Sequence, residues 1–177
     1  MRADIHANLT SNNPTYAQEG TVGGNDTLDG GAGDAVIFGQ VGNDIPVGGA
    51  GSDTLNGGSG ADTFKWGNGD QSTSAAPTDT VIGINENAGD KLDLKDLLEG
   101  AGATNETLSS YLHFTEVSGN VVIEVHSFGA SGAGSSSAID QTITLQGVSL
   151  VSLTSAYGAG DANIISGLIS ANKLVVD

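Results

Sequence analysis

Residues 21–65 read TVGGNDTLD, GGAGDAVIF, GQVGNDIPV, GGAGSDTLN and GGSGADTFK, five consecutive nonapeptides in unbroken register. The fourth and fifth satisfy G-G-x-G-x-D-x-U-x at every defined position, with U a large apolar residue. The first three keep the glycine at position four (Gly24, Gly33, Gly42) and lose one or two of the other positions. Sixteen of the 28 glycines fall between Gly20 and Gly69. A fixed period held through five copies marks a repeat architecture, which a flexible Gly/Asp-rich linker has no reason to keep.

Each repeat divides physically in two. Its first six residues hold up to three glycines, which reach φ > 0 and allow a tight turn. Its last three centre on one apolar residue, enough for a very short strand with one side chain pointing inward. Two repeats then make one coil of 18 residues, and stacked coils build two parallel sheets. Leu28, Pro46 and Phe64 belong to one sheet, Ile37 and Leu55 to the other. Pro46 lies in a central strand, where it removes a ladder hydrogen bond. Five inward side chains make a thin core against the entropy of ordering the repeats, and carboxylates stacked turn upon turn repel. A cation between the turns answers both problems. With oxygen ligands only, no cysteine and no histidine cluster, the donor set favours Ca²⁺ over Mg²⁺.

These nonapeptides resemble the calcium-binding repeats of the RTX (repeats-in-toxin) family, whose parallel β-roll motif has this form. The resemblance implies that the position-six aspartates Asp26, Asp44, Asp53 and Asp62 ligate ions held between successive turns. It implies matching carbonyls from Gly39, Val41, Gly48, Ala50, Gly57 and Ser59. One edge of the roll then carries Asp26, Asp44 and Asp62, and the other Asp53. The second repeat departs from the pattern, with Ala35 at position six and Asp34 one place early. Three or four ions are expected, with the clearest sites at repeats three to five.

Residues 66–100 resemble the segment that caps the roll in RTX adhesins, with W-x-x-G-D at Trp66, Gly69 and Asp70, and G-D-x-L-D-L-x-D-L-L from Gly89 to Leu98. A cap is physically required, because an open roll end exposes strand edges and its apolar column. TDTVIGI and DKLDL read as strands and LKDLLEG as a short helix ended by Gly100. Asp70, Asp79 and Asp90 are either ligands of a terminal ion or surface acids, with Asp96 a helix N-cap. Beyond residue 100, YLHFTEV, NVVIEVHS and TITLQGV alternate as strands do, SFGASGAGSSS reads as a hairpin loop, and NIISGLISA has helical or mixed spacing. The terminal Leu174, Val175, Val176 and Asp177 form either a last strand or the apolar-acidic end that resembles an uncleaved type I secretion signal.

Composition narrows the function. With 21 acidic against 5 basic residues the net charge is −16, which repels nucleic acid and anionic membranes and attracts cations. No apolar run is long enough to span a bilayer, and the first 20 residues hold no apolar export-signal core. Zinc-protease, nucleophile-elbow and phosphate-loop motifs are absent, and His6, His113 and His126 lie far apart, as surface or packing residues do. No catalytic residue is expected.

The division expected is 1–20 as a lead-in, 21–65 as the β-roll, 66–100 as its cap and 101–177 as a β-rich secretion-signal region. The fold class is mostly all-β with one or two short helices. The function implied is a calcium-dependent folding and type I secretion module of a secreted, monomeric RTX adhesin of biofilms or cell surfaces. Its partners would be calcium, an ABC transporter, a membrane fusion protein and an outer-membrane channel. Two alternatives stand: a ligand-binding part of an adhesin (glycan, ice or cell surface), for which Thr27, Thr54 and Thr63 form a fragment of an array, and the tail of an RTX hydrolase.

Overall fold

The computed structural model describes residues 15–18, 23–72, 75–84, 89–98, 107–127 and 139–176. The short strands alternate between two sheets as the 18-residue coil requires. One sheet runs β2 (Thr27–Asp29), β4 (Ile45–Val47), β6 (Thr63–Lys65), β8 (Lys91–Asp93) and β12 (Leu174–Val175), all parallel. The other begins with β1 (Thr15–Gln18), β3 (Ala35–Phe38), β5 (Thr54–Asn56) and β7 (Thr78–Ile82), also parallel. It continues into β11 (Gln141–Gln146), parallel to β7, and then the antiparallel β10 (Asn120–Val125) and β9 (Leu112–Val117).

Register lines up the apolar residues in two columns. Leu28, Pro46, Phe64, Leu92 and Leu174 face inward from one sheet. Ile37, Leu55, Val81, Leu145 and Val121 do so from the other. Pro46 is buried as the motif demands, at a cost in pairing. The β4–β6 ladder registers one residue pair, against three in β2–β4 and β6–β8. A proline nitrogen has no proton to donate there.

The segment after the repeats extends the roll itself. β7 and β8 add one strand to each sheet, with Val81 and Leu92 in the two columns. β11 and β12 add the next, so residues from beyond 100 cover both sheets of the roll. The expected helix is α1 (Lys95–Leu98), with Gly100 outside the described residues. Asp96 is not its N-cap: the Lys95 N–H goes to Asp93 Oδ1 at 3.2 Å, and Asp96 forms an ion pair with Lys65 at 2.7 Å. The hairpin loop read in SFGASGAGSSS falls almost wholly outside the described residues, although β10 and β11 pair antiparallel as such a loop requires.

Two further helices follow. α2 (Leu150–Tyr157), which alternation did not foretell, opens at Ser149, whose Oγ accepts the Ser152 N–H at 3.2 Å. α3 (Asp161–Ser170) buries Ile164, Ile165 and Leu168. These join the roll's columns and Trp66 in one continuous apolar core.

Candidate metal centre

Turn geometry sets the aspartates one above another. On one edge Asp26, Asp44, Asp62 and Asp90 stack, and each backbone N–H donates to Oδ1 of the aspartate one coil later, at 2.9 Å in all three steps. On the opposite edge the Ala35 N–H donates to Asp53 Oδ1 and the Asp53 N–H to Asp79 Oδ1, both at 2.8 Å. Asp79 and Asp90 are therefore not surface acids; both are buried, and both stand at position six of an irregular further repeat.

The second carboxylate oxygen is the informative one. Oδ2 of Asp26, Asp53 and Asp62 is buried with no hydrogen-bond partner. Such an atom carries a desolvation cost that a bound cation would remove. The position-one glycines make the room. A Cβ on Gly39 would come within 2.5 Å of both Asp44 Oδ2 and the Gly57 carbonyl oxygen, and one on Gly48 or Gly57 would overlap Asp53 or Asp62 Oδ2. The Ala50 and Ser59 carbonyls accept the Gly33 and Gly42 N–H groups at 2.6 and 2.9 Å, using one of two lone pairs each. Val41 is bridged to Ser59 across the coils.

Burial pushes the Asp53 carboxyl up to about 6, helped by the nearby Asp34 and Asp70 charges and opposed by the Ala35 N–H. Burial also raises Asp62. Among the described residues no three acidic or histidine side chains converge on one point. A cation here would be held by few carboxylates and several turn carbonyls, a hard-oxygen set that fits calcium. Asp26, Asp44, Asp53 and Asp62 with the position-one and position-three carbonyls would hold it, and it would supply the positive charge these edges lack.

Asp34 lies elsewhere. It is exposed at position five, and its Oδ1 accepts the Ser52 N–H at 2.8 Å. Asn25 and Asn43 do the same for Asn43 and Ala61, each at 2.8 Å. This outer ladder escaped the sequence reading, although Asx at position five of three successive repeats was its signal. Position six of the second repeat holds buried Ala35, so its coil edge brings no carboxylate. Asp70 accepts the Gly67 N–H at 2.6 Å within its own turn, and burial raises its carboxyl. Asp79 Oδ2 accepts the Trp66 indole N–H at 2.6 Å and the Gln141 amide N–H at 2.8 Å. The exposed His113 pairs with Asp161 at 2.6 Å, far from either edge, and that bond raises its pKa.

Residues 21–45 and 38–70 match the family described as RTX calcium-binding nonapeptide repeat (4 copies). No curated protein matches the chain in sequence. Among solved structures, the AlgE6R3 subunit of the Azotobacter vinelandii mannuronan C5-epimerase is similar, with a TM-score of 0.56 and 23% identity, over 83% of this chain and 78% of that one. The AlgE6R2 subunit of the same enzyme gives a TM-score of 0.48 and 23% identity, over 85% and 91%. Residues 21–70 of the chain carry calcium-binding RTX repeats, and its fold resembles that of the AlgE6R3 subunit.

Proposed function

We propose that the chain is a calcium-gated folding and export module, the uncleaved C-terminal type I secretion region of an RTX adhesin, with no catalytic role. The observation that carries this reading is the pair of aspartate ladders, with the second oxygens of Asp26, Asp53 and Asp62 buried and unpartnered. Where calcium is scarce, those oxygens and a net charge of −16 oppose folding, and an unfolded acidic chain suits passage through a narrow channel. Outside the cell, millimolar calcium fills sites in the weak extracellular range of about 10⁻⁴–10⁻³ M. An ion that binds only the folded chain stabilises it by mass action and opposes back-sliding. Export would run through an ABC transporter, a membrane fusion protein and an outer-membrane channel.

Far-UV circular dichroism with calorimetric titration, from chelator to about 5 mM calcium, tests the folding half. Cooperative gain of β signal with several ions bound is expected, and a full β spectrum in chelator, unchanged by calcium, would sink it. Fusing residues 101–177 to a passenger tests the export half. Secretion should depend on the transporter, and retention of the passenger would refute the signal.

A second reading has one observation behind it. Thr54, Thr80 and Thr144 align across adjacent strands, with Thr78 beside Thr142, giving a small regular threonine face. Thr27 and Thr63 lie on the other sheet. Such a face would suit a flat ligand such as a glycan or ice. Replacing Thr80 and Thr144 with tyrosine should abolish binding of that ligand, and unchanged binding removes this reading.

A further inference from the structure

Asp79 stands where the next carboxylate of its edge belongs. β5 and β7 pair Thr54 with Thr80 and Leu55 with Val81, and Asp79 Oδ1 accepts the Asp53 N–H as Asp53 Oδ1 accepts that of Ala35. The difference lies in Oδ2. On Asp53 that oxygen is buried without a partner; on Asp79 it takes N–H groups from both Trp66 and Gln141. Trp66, Asp79 and Gln141 are each 0% exposed. Three N–H donors occupy the carboxylate, and the two on Oδ2 sit where an approaching cation would have to come.

Both donors are fixed by backbone. The Trp66 N–H bonds to the Asp93 carbonyl at 3.0 Å. Gln141 opens β11 and is flanked by bonds from Ser72 to the Asp140 carbonyl and from Thr142 to the Pro77 carbonyl, both 2.9 Å. Turning the Gln141 amide over would set its oxygen against the carboxylate. The observed orientation is kept although Oε1 has no hydrogen-bond partner.

We propose that Trp66 and Gln141 close the Ala35–Asp53–Asp79 edge in place of a calcium ion, making Asp79 a cation-free terminator that locks the C-terminal sheet onto the roll. The inference rests on the calcium reading of the other aspartates, and it removes Asp79 from the ligand set that the family resemblance implied. It also couples two events. Asp53 donates its N–H to Asp79 while offering its own Oδ2 to an ion, so ordering that edge and docking β11 support each other.

Ion stoichiometry of the full chain, by calorimetry and by metal analysis after gel filtration in calcium, tests this. Asp53→Asn should lose one ion per chain. Trp66→Phe, which keeps the packing and deletes the donor, and Gln141→Ala should keep the wild-type ion number and melt at lower temperature. Loss of an ion from folded Asp79→Asn, with Asp53→Asn behaving as stated, overturns the terminator alone; a wild-type chain that binds no calcium overturns this inference and the calcium reading together. A readout independent of variant folding comes from the single tryptophan. In the calcium-loaded wild type its indole N–H should be shifted downfield and protected from exchange, and exchange at the rate of an exposed indole refutes the proposal.

Discussion

At position two of the third repeat, Gln40 holds φ at +77°, a value that its counterparts Gly31, Gly49 and Gly58 reach without a side chain. The left-handed backbone costs a residue with a Cβ about 1–2 kcal/mol, of which glycine's looser unfolded state returns part. Gln40→Gly should therefore raise stability in calcium by about 0.5–1 kcal/mol. A urea titration measures it, and a lower midpoint would show that the glutamine side chain contributes more than the strain it carries. The buried aspartates set a pH dependence at the same scale. Asp53 and Asp79 are pushed up to about 6 and about 7, chiefly by burial. Without calcium, their contribution to stability is full below the unfolded carboxyl value near 4 and is lost as pH rises through 6 and 7. In chelator the far-UV β signal, weak at pH 8, should be stronger at pH 5. In calcium the order should reverse, because protons compete with the ion at Asp53.

At the scale of elements, the roll's irregular continuation explains what the sequence reading left open. The period of nine is broken between Asp53 and Asp79, 26 residues apart, and between Asp62 and Asp90, 28 apart, against 18 within the repeats. A reading locked to that period leaves Asp79 and Asp90 as loose acids. The legible clue was the triplet of aspartate, any residue and an apolar residue, kept in Asp79–Thr80–Val81 and Asp90–Lys91–Leu92. The helical pair was harder to see, because α2 buries one residue, Leu153, and shows little periodicity. Its contact with α3 depends on Gly167, where a Cβ would overlap the Tyr157 ring. Gly167→Ala should destabilise the chain by about 1–3 kcal/mol through overpacking. Adding Tyr157→Leu should recover part of the loss; a thermal-melt double-mutant cycle with no coupling would contradict that contact.

For the whole molecule, the C-terminal region and the roll are mutually dependent. β11 pairs with β7, β12 with β8, and Gln141 reaches Asp79. Cutting the chain after residue 100 would uncover both strand edges and the end of the apolar columns. The truncated protein should need about tenfold more calcium for half-folding, since each lost contact must be offset by mass action. Circular dichroism across a calcium series would show it, and an unchanged midpoint would mean that the roll folds by itself.

Local chemistry by itself determines the roll. Glycines at fixed places, one apolar residue per nine and one aspartate before it specify turn, strand and edge within 18 residues, so the two sheets, their columns and the aspartates at 26, 44, 53 and 62 could be placed from the sequence. Tertiary structure alone decided what ends the roll. Trp66, Asp79 and Gln141 are brought together across separations of 13 and 62 residues by strand pairing outside the repeat period. No local pattern encodes which side chain completes a buried carboxylate from so far along the chain, because that choice is made by register between strands and not by the residues beside it.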